Sequence, residues 1–266
     1  MQRSLIFILA IGYVMLCFSV SPSSGQSVNL HLPTDDTVAI GKVIYQQDIQ
    51  LSEESPKNGT SVLLFNSNYS LYYNLDAPKE SKMLINDYMV PRTVAGDQFG
   101  FPYYKMHMEH KIIYRDRCIG VKGKYLVEDT LGGIAWILLP EHKRFGKYDG
   151  HRATGTFRGR EYEAWYTLDI PIPSGPYKLG GLPGLILEAQ TTDGKVKFLF
   201  SRLEIGSGIP DPIKPPPGKY SGLDYNSYKQ KLWEVMSNLV KKSQAAGNEV
   251  TISPSEDVIE LWEPTK

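Results

Sequence analysis

Gly175-Pro176-Tyr177-Lys178-Leu179-Gly180-Gly181-Leu182-Pro183-Gly184-Leu185-Ile186-Leu187 is the stretch on which the reading of this chain turns. Two corners, Gly175-Pro176 and Pro183-Gly184, fence a short apolar run, and the second leads straight into Leu185-Ile186-Leu187-Glu188-Ala189. Pro183 presets φ at one position of a type II turn, and Gly184 can adopt the positive φ that the next position needs. The sequence therefore predicts a backbone-determined lead into a buried strand. Gly175, Pro176, Gly181, Leu182, Pro183, Gly184, Leu185 and Ile186 form its structural motif. Apart from Tyr177 and Lys178 the stretch offers no acid, base or nucleophile.

Outward from this stretch, aromatic and β-branched residues recur in short runs separated by turn signals, as in a sheet of many antiparallel strands. The predicted strands cover 38–50, 61–66, 70–74, 103–114, 124–128, 135–139, 153–158, 161–167, 185–191 and 195–205. Asp193-Gly194 is the strongest hairpin signal, and Gly159-Arg160 is a second. Repeated α/β alternation is missing, so a doubly wound parallel sheet is a poor reading. The fold class is mainly β: a curved antiparallel sheet or partly open barrel with one C-terminal amphipathic helix. Prolines crowd residues 210–217 and remove amide donors, so 210–222 reads as a linker. Beyond it Asp224 can cap a helix over 225–246 that ends at Gly247-Asn248. Tyr228, Leu232, Val235, Met236, Leu239 and Val240 share one face of that helix. The predicted organisation is 26–209 as the β domain and 223–266 as helix and tail packed on it.

Residues 1–25 read as a secretory signal peptide: Arg3, an apolar run from Leu5 to Val20, then small residues, with cleavage before Gln26. Cys17 follows bulky Leu16 inside the apolar run, which argues against a lipid anchor. The chain has 29 basic and 29 acidic residues, and cleavage would remove only Arg3, leaving 28 against 29. A balanced surface argues against nucleic acid as the partner, because phosphate binding needs a basic face. No apolar span remains after cleavage. Cys118 would then be the one cysteine left, so no internal disulfide can form.

The order of several words resembles the GLPGLI family of exported bacterial proteins, spelled here by Gly181 through Ile186. Upstream stand Lys147-Tyr148-Asp149-Gly150-His151-Arg152-Ala153-Thr154, Phe157-Arg158-Gly159-Arg160, Ala164-Trp165-Tyr166-Thr167 and Ile170-Pro171-Ile172. The resemblance covers about 136–205 and departs at Gly150, where members of the family usually carry a cysteine. It implies export to the periplasm or outer-membrane surface of a Gram-negative bacterium, and association with an envelope protein such as an outer-membrane transporter. It implies no activity.

Three constellations carry candidate chemistry. Arg158, Arg160, Trp165 and Tyr177 lie in the family-like region and can present planar donors and aromatic faces to a ligand. Met106, His107, Met108 and His110 supply soft thioether and imidazole donors for a copper-like ion. Period-two alternation weakens that idea by placing Met106, Met108 and His110 on one strand face and His107 on the other. Cys118 lies among Arg115 and Arg117, which can lower its pKa, but no local signature ties a histidine to it. No phosphate loop, dinucleotide fingerprint or G-x-S-x-G elbow is present, and no cofactor is implied. The leading reading is a non-catalytic binding or assembly module of the envelope. Its competitors are a hydrolase or thiol enzyme using Cys118 and a histidine, and a periplasmic metal-binding protein using the Met106–His110 cluster.

Overall fold

The computed structural model describes residues 37–50, 57–75, 81–85, 88–92, 102–116, 125–206, 208–216, 219–247 and 260. The expected signal peptide, Cys17 and Cys118 lie outside the described residues. The turn-punctuated runs fold as strands β1 (Gly41–Ile49), β2 (Lys57–Phe65), β3 (Tyr69–Asn74), β4 (Ser81–Ile85), β5 (Tyr88–Arg92), β6 (Tyr103–Met106) and β7 (Lys111–Asp116). They continue as β8 (Tyr125–Thr130), β9 (Ile137–Phe145), β10 (Tyr148–Phe157), β11 (Arg160–Thr167), β12 (Leu185–Thr191), β13 (Val196–Ile205) and β14 (Lys219–Asp224), followed by helix α1 (Tyr225–Ala245).

Twelve strands make one sheet in the order β14-β8-β7-β6-β3-β2-β1-β13-β12-β11-β10-β9, with β4 and β5 as a separate pair. Among the described residues every strand pairing is antiparallel except β14 with β8. The sequence-based fold class holds: the protein is mainly β with one C-terminal helix. Chain connectivity shows that the sheet is curved. β8 stands second and β9 last, ten strand spacings apart, which is about 48 Å in a flat sheet. Residues 131–136 alone join them, and that length of chain reaches at most about 25 Å. The sheet must curl until its two ends face each other.

The inside of the curl is filled. Tyr45, Leu63, Tyr72, Ala153, Phe157, Tyr162 and Phe198 form one buried cluster, although β3 and β10 lie six positions apart in the sheet. Ile170, Ile172, Tyr177, Leu179 and Leu182, from the segment between β11 and β12, complete that cluster. Val62, Leu64, Leu71 and Tyr73 alternate to the opposite face, where Ile209 and Ile213 cover them. Tyr225 and Tyr228 of α1 pack on Ile112, Tyr114 and Val127.

Several local expectations need correction. Residues 103–114 are two strands, because His107 to His110 form a turn in which His110 takes φ 53°. Neither glycine nor proline announces that turn, and the two-face alternation predicted for the methionines and histidines falls with the single strand. The β10–β11 turn centres on Arg158-Gly159, one residue earlier than expected. Both residues have positive φ (48° and 78°), as a two-residue type I′ hairpin requires. Gly184 does not take positive φ. It is needed because a Cβ there would lie 2.8 Å from the Thr167 carbonyl carbon and closer still to its oxygen. The proline-rich stretch read as a linker lies on the sheet: Ile213 is 1% exposed and its N–H donates to the Thr37 carbonyl at 2.7 Å. Lys219 to Gly222, also placed in the linker, open β14, whose partner strand β8 supplies the ladder that local sequence does not advertise. The Asp193-Gly194 hairpin and the Asp224 cap form as read. Gly194 has φ 70°, and Asp224 Oδ1 accepts the Ser227 N–H at 2.8 Å.

Candidate functional site

Among the described residues Lys105 and Lys178 are at most 2% exposed: Lys105 grips the stretch that begins at Gly175 from outside it, and Lys178 belongs to that stretch. Alternation along β6 turns Lys105 away from Tyr104 and Met106, which pack on the outer cluster, and toward the inside of the curl. Its Nζ donates to the carbonyls of Gly175 at 2.6 Å and Leu179 at 3.0 Å, bracketing Pro176-Tyr177-Lys178. Ser174 Oγ lies 3.5 Å from the same ammonium. Burial pulls the Lys105 pKa well below its ordinary value.

A buried relay continues from Ser174. Its Oγ lies 2.7 Å from Ser70 Oγ, which lies 3.0 Å from His107 Nε2, while His107 Nδ1 lies 3.0 Å from the Ser67 carbonyl. A carbonyl only accepts, so Nδ1 carries the proton and Nε2 accepts from the Ser70 hydroxyl. The chain of bonds thus ties the turn after β6 to the segment after β11. Desolvation is the main reason the His107 pKa falls to about 4, with Lys105 adding repulsion against the opposing pull of the Ser67 carbonyl and Glu109. A folded-state pKa below the unfolded value of about 6.5 means that the unfolded chain binds the extra proton between those pH values. Stability is therefore expected to fall as pH drops from about 6.5 to about 4, by roughly 3 kcal/mol. Urea unfolding at pH 7 and pH 4.5 checks this, and His107→Gln should remove most of the difference.

Lys178 is held by carboxylates. Its Nζ donates to Glu260 Oε2 at 3.1 Å and lies 3.0 Å from Glu260 Oε1 and 2.9 Å from Asp129 Oδ2. The last two contacts are electrostatic and too oblique for hydrogen bonds. Arg158 Nη2 donates to Asp129 Oδ1 at 2.6 Å and Nη1 reaches Glu260 Oε2 at 3.5 Å. Two cations and two anions therefore close a box in the seam of the curl, since Asp129 belongs to β8 and Arg158 to the β10–β11 turn. Tyrosine rings wall it: Lys178 Nζ is 4.0 Å from the Tyr114 ring centre and 4.7 Å from that of Tyr225, and Arg158 lies 3.3 Å over Tyr225. Burial, then the Glu260 charge, raises the Tyr177 hydroxyl well above its ordinary range and keeps it protonated. Tyr177 adopts φ 52°, a left-handed conformation costing roughly 1–2 kcal/mol for a residue with a Cβ.

Arg158, Arg160, Trp165 and Tyr177 do not share a cleft. Arg160 pairs with Asp193 at 3.1 Å beside an open depression of about 300 Å³ that Thr191, Thr192 and Lys195 also line. Trp165 donates to Glu163 at 3.2 Å and packs near Phe145. Tyr177 lies edge-on to Tyr103 and parallel to Phe198. Of the Met106–His110 cluster, His107 points inward with both ring nitrogens engaged, Met106 packs on the outer cluster and Met108 is 78% exposed. The Lys105 relay and the lysine box were not read from sequence. Their one local signal is a charged residue, Lys178, enclosed by Gly-Pro and Gly-Gly.

Residues 156–188 match the model of a family described as "Protein of unknown function (Porph_ging)". The matched segment resembles that family from the β10–β11 turn through the first residues of β12, and it contains both cations of the box. No curated protein sequence matches the chain. Among solved structures the fold is similar to that of PNGF-II in a P21 crystal form, with TM-score 0.51, 15% identity and 74% of this chain covered. A C2 crystal form of PNGF-II gives 0.48, 16% and 73%. The chain spans about a third of the length of those PNGF-II chains, 34% and 32%.

Proposed function

We propose that the chain is an exported binding or assembly module of the bacterial envelope, and that it recognises its partner through the edge strand β9. The observation that carries this reading is the outer edge of β9. The strand ends the sheet and, among the described residues, pairs only with β10. It opens with Ile137 at 65% and Leu138 at 55% exposure. Long edges that expose apolar side chains invite another chain, and proteins blunt them with charge, proline or bulges unless a partner uses them. β9 is blunted only in its second part, by Pro140, Glu141, Lys143 and Arg144. An extended apolar segment of an envelope protein, such as an outer-membrane transporter, can add to Ile137–Leu139 by strand pairing, with Pro140 setting the limit. The signal-like order of residues 1–25 and the GLPGLI-like words support the envelope setting.

A photo-crosslinking amino acid at position 138, compared with one at the exposed Glu109, tests this in intact envelopes. A defined product is expected from position 138 alone, and Ile137→Lys should abolish it without moving the thermal midpoint. Equal products from both positions, or none from 138, would remove the edge strand from the account. Protein recovered from the envelope fraction should have the intact mass of a chain starting at Gln26.

A further inference from the structure

β9 and β10 meet in a hairpin whose two-residue loop is Gly146-Lys147, with Gly146 at φ 61°. Its register sets His142 directly across from His151. Asp149, two residues before His151, shares the same sheet face. The two imidazole centres are 4.5 Å apart, and His142 Nδ1 lies 3.2 Å from Asp149 Oδ2. One donor atom from each of the three residues falls within 4.8 Å of the other two. The pairing register shifts between His151 and Ala153, a bulge of the kind that re-aims side chains beside sites. Tyr166 lies 5.6 Å from the His151 ring, and the Asp149 N–H donates to Asp169 Oδ2 at 3.3 Å, bringing a second carboxylate alongside.

We propose that His142, Asp149 and His151 bind a divalent transition-metal ion of the zinc class. Two imidazole nitrogens and one carboxylate oxygen suit such an ion, whereas calcium and magnesium favour sites built of oxygen. Zinc bonds of about 2.0–2.2 Å place neighbouring ligand atoms roughly 3.4 Å apart. The His142–Asp149 separation already matches, and rotation of the exposed His142 ring and the partly buried His151 ring brings the third atom in. An ordinary His–Asp pair would account for that one contact but gives no reason for a second imidazole across the strand. Three protein ligands leave a tetrahedral position open to water or to an incoming side chain. The Met106–His110 cluster has no part in this site.

Zinc chloride titrated into the purified, metal-stripped full chain, followed by calorimetry and by imidazole nitrogen NMR, tests the site. One equivalent is expected, with shifts at His142 and His151 and none at His107 or His110. His142→Ala, His151→Ala and Asp149→Asn should each weaken binding by more than about 100-fold, beyond the roughly 10–100-fold that losing an outer-shell partner costs. Asp149→Asn keeps the side-chain shape, so a loss of zinc with an unchanged apo melting curve separates a missing ligand from a folding defect. No saturable binding, binding that survives the two histidine substitutions together, or shifts confined to His107 and His110 would each overturn the proposal. None of these outcomes depends on whether β9 recruits a partner.

Discussion

Lys178→Met is expected to destabilise the protein by about 3–5 kcal/mol, the range seen when one partner is stripped from a buried ion pair. The butylene chain of Lys178 and the Met side chain have similar length, so little packing is lost and the effect isolates the charge. Among the described residues Asp129 and Glu260, 6% and 5% exposed, would then share one cation, Arg158, inside a wall of tyrosines. Removing Glu260 as well, as Lys178→Met with Glu260→Gln, leaves the Arg158–Asp129 pair balanced. That double variant should regain more than half of the loss. Urea unfolding of the two single variants and the double gives the coupling directly. A single-variant effect below about 1 kcal/mol would show that Lys178 is a spectator.

Leu185→Ala is expected to cost about 2–5 kcal/mol. Leu185 is fully buried, pairs with Thr167 across the β11–β12 ladder and donates its N–H to the Ile170 carbonyl at 3.0 Å. The backbone on both sides is therefore held, and the cavity left by the missing side chain cannot collapse. Its neighbour gives the opposite experiment. Gly184→Ala adds one methyl against the Thr167 carbonyl and should cost about 1–3 kcal/mol, with Gly184→Val worse. Thermal melts of these variants, set beside photo-crosslinking from position 138, separate architecture from recognition. A variant that melts like the parent yet loses its crosslinked partner would make the Gly175–Ile186 segment a recognition surface.

The elements that sequence reading found are those specified by near neighbours. Asp193-Gly194 carries its own turn chemistry, since Asp193 Oδ1 accepts the Lys195 N–H and Gly194 supplies the positive φ. Asp224 caps α1 through a residue three positions on. What escaped was set by distant chain. Lys105 looks like a solvated charge in a strand until carbonyls 70 and 74 residues away arrive to accept from it. The box draws its four charges from β8, a hairpin turn, the Gly175 segment and the tail, so no window of sequence contains it. Gly184 matters for its close approach to Thr167 and not for a positive φ, and such an approach leaves no trace in local propensity. The histidine pair across the β9–β10 hairpin needed the register that the Gly146-Lys147 loop sets, in a stretch where the strands predicted from sequence stop at 139 and resume at 153.

Native-state hydrogen exchange tests the central claim most directly, that the Gly175–Ile186 segment belongs to the folding core and closes the curled sheet. The Ile186 N–H is bonded to Ser174, Leu179 N–H to Pro176 and Gly181 N–H to Pro173. These amides should exchange as slowly as those of Val43 and Tyr45 in β1, and Lys178→Met should release them together. Exchange at the rate of an exposed loop in the parent protein, or protection untouched by Lys178→Met, would contradict the account.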